Sequence, residues 1–362
     1  MRLYARLLLA ATLLAVVVIG LGAYVRLSDA GLGCPDWPGC YGHLLGVPDG
    51  SSAAVAAHPQ QPFDAGKAWK EMIHRYAAGS LGLLVLAICL LAWRPKMRRE
   101  QSPALPTLLL GLIGLQAALG MWTVTLLLKP LIVTLHLLGG MATLALLVTL
   151  LLRTRTTSTF APALRWPAAL ALLAVIGQIA LGGWVSSNYA ALACPDFPFC
   201  QGQWLPPADF AHAFTLHREL GQTAHGELIS GEALTAIHLT HRLGAVLVLL
   251  AVGTLAARLL GHGQRHWGSL LLALLGLQLC LGIANVLLSL PLLLAVAHNL
   301  GAAALLSAVL AVNLRCRATE AGSAGSARAG GMTSDEKIFP DVRRAAGKTL
   351  PSCGQQLPDM LQ

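Results

Sequence analysis

Four histidines recur as two matched pairs, His74 with His136 and His241 with His298. His136 and His298 stand 162 residues apart, and the dipeptides His74-Arg75 and His241-Arg242 stand 167 apart. Each histidine opens or nearly opens an apolar run long enough to cross a bilayer, and all four enter from the same side. An imidazole at that depth is costly without a partner, so function is the default reading. Two helices of one bundle, each offering an imidazole at a matched level, can clamp an object between them. A haem iron with two axial histidines suits that geometry. The bland alternative is a histidine hydrogen-bonded across helices, which fits a lone residue better than a duplicated pair at equal depth. A bare metal ion would need further ligands, and the spans supply no matching carboxylate cluster. His43, His58, His212, His217, His225, His262 and His266 have no counterpart in the other half and read as loop residues.

The neighbours of these histidines break the symmetry. Glu71 lies three residues before His74, one helical turn away on the same face. Its counterpart before His241 is His238. Only the first pair thus has a carboxylate beside it, able to accept a proton, stabilise a developing cation or position a water. The competing reading is an exposed glutamate at a loop end. The asymmetry points to chemistry in the first half and to binding or electron transfer in the second. Arg75 and Arg242 follow the first histidine of each pair. They are candidate partners for haem propionates, since guanidinium suits carboxylates, and interfacial snorkelling explains them equally well.

Two cysteine pairs, Cys34 with Cys40 and Cys194 with Cys200, flank Pro-Asp-aromatic-Pro segments. Both lie in long loops on the side expected to be oxidising, where disulfides persist. The prolines stiffen each segment toward a turn that could bring the sulfurs together. Closed pairs Cys34–Cys40 and Cys194–Cys200 would tie a loop over each pocket. Reduced pairs, or one four-cysteine zinc site with wider spacing than usual, are the alternatives. Cys89 and Cys280 fall inside spans and read as small core residues.

The elements that must position these groups are membrane helices. Hydrophobic residues make up 56% of the 362 positions and charged ones only 11%, with mean hydropathy +0.66. Soluble domains carry roughly 25% charged residues, so soluble, disordered and fibrous classes are excluded. Eight stretches reach the roughly 20 apolar residues a bilayer requires: 7–25, 73–93, 104–124, 131–152, 168–186, 243–260, 268–288 and 292–312. The first follows Arg2 and Arg6 and resembles a signal peptide, but its length makes it a retained anchor. A net charge of +9 sits mostly in alternate loops, at Arg94, Lys96, Arg98, Arg99, Arg153, Arg155, Arg165, Arg258, Arg265, Arg315 and Arg317. The excess therefore marks cytoplasmic loops rather than nucleic-acid binding. The expected setting is a bacterial plasma (inner) membrane with both termini in the cytoplasm, and the loops 26–72 and 187–242 face the periplasm.

The chain is internally duplicated. Residues 22–42 match 182–202 without a gap, and Leu115–Gly120 (LQAALG) matches Leu277–Gly282 (LQLCLG). Each copy holds an even number of spans, so both enter the membrane in one orientation. The expected fold is all-α and polytopic: two tandem four-helix bundles related by a pseudo-two-fold axis. Residues 1–160 form the first bundle and 161–314 the second, and 315–362 form a disordered cytoplasmic tail holding Cys316 and Cys353.

The run Gly22–Gly42 (GAYVRLSDAGLGCPDWPGCYG within it), with Glu71-x-x-His74-Arg75, His136, His241-Arg242 and His298, resembles the haem A synthase family over about residues 5–315. The resemblance implies oxidation of a haem O methyl to a formyl group through a hydroxymethyl intermediate. It implies a substrate site at Glu71, His74 and His136 in the first bundle, and a haem b cofactor on His241 and His298 in the second. It further implies a haem O synthase upstream and haem-copper oxidase assembly factors downstream, with homo-oligomerisation left open. A di-haem cytochrome b or a haem transporter are the competing classes. Either would leave Glu71 without a role.

Overall fold

The computed structural model describes residues 2–59, 62–154 and 159–330, with side chains to residue 316 and none at position 100. The described residues form helices joined by loops, with only isolated bridges and no strands. Eight helices are long and apolar enough to span a membrane: α1 (Arg2–Leu27), α2 (Ala65–Ala92), α3 (Ala104–Thr125), α4 (Pro130–Arg153), α5 (Arg165–Ser187), α6 (Gly231–Gly261), α7 (Arg265–Leu287) and α8 (Leu292–Gly330).

Several helices begin earlier than hydropathy suggests. The Asp64 side chain caps α2 by accepting from the Lys67 N–H, and Ser230 caps α6 by accepting from that of Ala233. Each cap satisfies an end group that would otherwise lack a partner. The polar first turns of α2 and α6 are invisible to a hydropathy window. His74 and His241 therefore lie more than two turns inside their helices rather than at the openings.

Helix α1 packs against α2 and α4, α3 against α2 and α4, and α5 and α7 against α6. The Asn313 side-chain amide of α8 donates to the Ala168 carbonyl of α5 at 2.8 Å. One apolar core runs through these contacts, with Leu8, Val85, Leu109, Leu147, Leu164, Leu255, Leu271 and Val309 fully enclosed. Arg315 and Cys316, at the head of the expected tail, are packed: the Arg315 guanidinium lies 4.3 Å from the Trp267 ring centre, and Cys316 is buried. The rest of that tail lies outside the described side chains, and from residue 331 outside the described residues altogether. Cys89 is buried as expected, whereas Cys280 is exposed on α7. In a bilayer an apolar outer face and an apolar core have the same composition.

The duplication extends to backbone conformation. Among the described residues, the non-glycine positions with positive φ are Asp29 and Tyr189, Tyr41 and Gln201, Leu127 and Ser289, and Leu128 and Leu290. They fall into pairs at the repeat offsets, and left-handed backbone is uncommon for such residues. Both halves also carry a cis proline, Trp37-Pro38 and Phe197-Pro198. The halves meet where α1 and α5 end. Arg26 Nη2 donates to the Ser186 carbonyl at 2.7 Å, its guanidinium covers the Tyr189 ring, and Tyr189 Oη donates to Asp29 Oδ1 at 3.0 Å.

Candidate haem-binding site

Each of the four histidines is half-buried and faces a glycine on the preceding spanning helix. A Cβ added at Gly22 of α1 would stand 3.0 Å from the His74 ring, and one at Gly120 of α3 would stand 3.4 Å from that of His136. The corresponding figures are 3.2 Å from Gly182 to His241 and 3.2 Å from Gly282 to His298. Gly22 and Gly182 occupy matched positions, as do Gly120 and Gly282. The missing side chains leave room for a flat ring beside each neighbouring helix.

The ring nitrogens bear on what such a pocket takes. Nδ1 of His74, His136 and His298 is enclosed, with no hydrogen-bond partner among the described residues. Unpaired polar atoms in an apolar interior are costly, and metal ligation or a bound ligand's acceptor relieves that cost. Among the described residues no three of His, Cys, Asp and Glu converge as a bare-metal site. A haem iron needs only two protein ligands, so these residues fit a bis-histidine haem.

Glutamine amides accompany the second pair. Gln178 of α5 donates from Nε2 to the His241 carbonyl at 2.9 Å and stands 3.1 Å from His241 Nδ1. Gln278 of α7 donates to the His298 carbonyl at 2.9 Å and stands 3.4 Å from its Nε2. In the first half, Gln116 matches Gln278, but its Nε2 lacks a partner among the described residues. At the place of Gln178 stands Val18.

Glu71 is a buried residue, only 4% exposed, and not a surface carboxylate. Its Oε2 accepts from the Cys34 backbone N–H at 3.1 Å, and its Oε1 pairs with Arg75 Nη2. His238, in the equivalent position, instead directs Nδ1 to the Ala190 carbonyl at 3.1 Å. The carboxylate is therefore confined to the first half.

The sequence pattern of the COX15-CtaA family, cytochrome oxidase assembly protein, matches residues 5–310. The haem A synthase of Shewanella oneidensis is 46% identical over 307 residues, covering 82% of this chain and 92% of that protein. Those of Methylobacterium radiotolerans and Caulobacter vibrioides are 31% identical over 325 residues and 30% over 346. These alignments cover 81% and 86% of this chain, and 84% and 94% of the two relatives. The chain belongs to the haem A synthase family.

Membership places this haem A synthase relative among the membrane enzymes of haem biosynthesis. In it, both cysteine pairs are disulfides, Cys34–Cys40 and Cys194–Cys200. The sulfurs bond within each loop, which removes the zinc alternative. Each loop is closed by an aspartate: Asp36 accepts from the Tyr41 and Gly42 N–H groups, and Asp196 from those of Gln201 and Gly202. The backbone N–H of Gly202 chiefly holds the Asp196 carboxyl below the usual carboxylate range.

The two arginines fasten these loops to the helices. Arg75 Nη1 donates to the carbonyls of Asp36 at 3.0 Å and Pro38 at 3.2 Å, and also to that of Gly39. Arg242 donates to the carbonyls of Phe199 at 2.7 Å, Cys194 at 3.1 Å and Asp196 at 2.7 Å. Its Nε is buried without a partner among the described residues. The loop-fastening role was not foreseen from sequence. Gln116, Gln278 and the four facing glycines belong to the matched repeat segments, whereas Gln178 lies outside them.

An apolar cleft of about 1170 Å³ opens between α4, α5 and α6, lined by Leu135, Leu170, Leu181, Trp184 and Leu247, and reaching Gln178.

Proposed function

We propose that the chain oxidises a methyl group of haem O to the formyl group of haem A, through a hydroxymethyl intermediate. In this reading residues 1–160 and 161–314 are two four-helix bundles related by a pseudo-two-fold axis. Haem O sits in the first between His74 and His136, and a haem b cofactor sits in the second between His241 and His298. The observation that carries the reading is the buried Glu71 carboxylate beside the first pair alone, with His238 in its place at the second.

The second haem, when bound, supplies one-electron redox chemistry. The remaining roles belong to the chain. Glu71 holds negative charge near the reacting edge and receives a proton there, its position set by Arg75 and the Cys34 N–H. Arg75 and Arg242 stand as propionate partners, with the unpaired Nε of Arg242 as the free donor. The disulfide loops cover the pockets and exclude water. The long isoprenoid tail of haem O needs an apolar, laterally open surface at the first site. A haem O synthase supplies the substrate and haem-copper oxidase assembly consumes the product.

The deciding experiment is expression of this chain with a haem O source, followed by extraction of membrane haems. Haem A should appear by mass and by its red-shifted reduced spectrum. Haem O unchanged in the presence of the full chain would instead favour a purely electron-carrying or transporting protein.

The same reading puts the termini in the cytoplasm and the cysteine loops in the periplasm. All four loop sulfurs are buried in the oxidised protein. A membrane-impermeant thiol reagent applied to intact cells should therefore label Cys34, Cys40, Cys194 and Cys200 only after reduction, and spare Cys353. Labelling of Cys353 alone would invert the topology.

A further inference from the structure

We propose that Gln178 and Gln278 are positioning residues that lock the second haem in place. We further propose that the lack of such a brace at His74 leaves the first site freer to exchange its porphyrin. The inference rests on the assignment of His241 and His298 as ligands.

Both histidines of the second pair are held by a glutamine from the preceding spanning helix, each donating to the histidine's own carbonyl at 2.9 Å. A glycine three residues past each histidine makes room for the amide. A Cβ at Gly244 would meet Gln178 Oε1, and one at Gly301 would meet Gln278 Oε1. Those two amide oxygens are themselves buried without partners among the described residues. The same amide nitrogens also abut the rings, Gln178 Nε2 at 3.1 Å from His241 Nδ1 and Gln278 Nε2 at 3.4 Å from His298 Nε2. Such contacts fix the ring's orientation.

The first pair departs from this pattern at His74. Val18 stands where Gln178 would, and Ala77 where Gly244 would, so no side-chain amide stands beside His74. Gln116 overlies Gly139 as Gln278 overlies Gly301, with Nε2 rather than Oε1 toward the glycine. A catalytic site that releases its porphyrin each turnover has reason to leave its ligands loose, and a resident cofactor site has reason to hold them.

The test uses the full-length protein loaded with haem b and haem O, whose different masses let each site be followed separately. Gln178→Val should speed transfer of haem b to apomyoglobin about 10–100-fold. It should also shift the midpoint potential of that haem, because the amide no longer stands beside the imidazole, while haem O transfer stays unchanged. In the reverse variant, Val18→Gln with Ala77→Gly, haem O should leave more slowly. Unchanged transfer and potential in Gln178→Val, with the haem b spectrum still lost in His241→Ala, would overturn the brace and leave the ligand assignment intact. A haem b spectrum that survives His241→Ala would overturn both. If Gln178→Val does not fold, the reverse variant decides, and an unchanged haem O off-rate there overturns the proposal.

Discussion

Glu71→Gln should fold, keep its second-site haem and bind haem O, yet make haem A about 10²–10³ more slowly. The amide is nearly isosteric with the carboxylate, and its oxygen can still accept the Cys34 N–H that Oε2 accepts now. Arg75 keeps its bonds to the loop carbonyls of Asp36 and Pro38. What disappears is a buried negative charge on the helix that carries His74, together with a group able to take a proton. In the proposed reaction electrons and protons leave the methyl carbon, and this carboxylate would stabilise the positive charge developing there. Removal of one preorganised electrostatic group typically costs about 3–4 kcal/mol in the barrier. Haem O and the hydroxymethyl intermediate should co-purify with the variant, measured by extraction and mass. Near-normal haem A would return Glu71 to a structural role, as the post that ties the Cys34 loop to α2.

His298→Ala should abolish or convert the low-spin b-type spectrum of the purified protein. An axial imidazole cannot be replaced by the nearby groups: Gln278 is the polar neighbour of that ring, and its amide is a poor iron ligand. If His241 and His298 are the two axial ligands, the variant would leave iron with one, which would change its spin state or release the haem. His212, whose ring instead pairs with Asp209 at 2.6 Å in the loop before α6, provides the control. His212→Ala should leave the spectrum unchanged. An intact spectrum in His298→Ala would remove the second-site assignment.

Much of this arrangement was legible before any coordinates, for physical reasons. Membrane spans announce themselves because lipid demands about 20 apolar residues in a row. The paired histidines stand out because polar groups in those runs are rare. The starts of α2 and α6 were misplaced because capped polar turns carry no hydropathy signal. Cys280 was placed in the core although it is exposed, since lipid and protein interior select the same residue types. The loop-fastening work of Arg75 and Arg242 was hidden for a different reason. Their acceptors are main-chain carbonyls, which carry no residue identity to read. The glutamines beside His241 and His298 were visible as letters, but their meaning lay in which helix faces which.

The contacts between the halves join residues that differ between the copies. Arg26 and Ser186 occupy equivalent places in the two copies, as do Asp29 and Tyr189, and each touches its own counterpart. In an assembly of two identical subunits, positions on the dyad meet themselves. Arg26 also lies over Tyr189, the counterpart of Asp29. Two copies of the amino-terminal half, placed in the same way, would set each arginine against the other's aspartate. The aromatic stack and the tyrosine–aspartate hydrogen bond that now tie the halves together would be replaced by ion pairs.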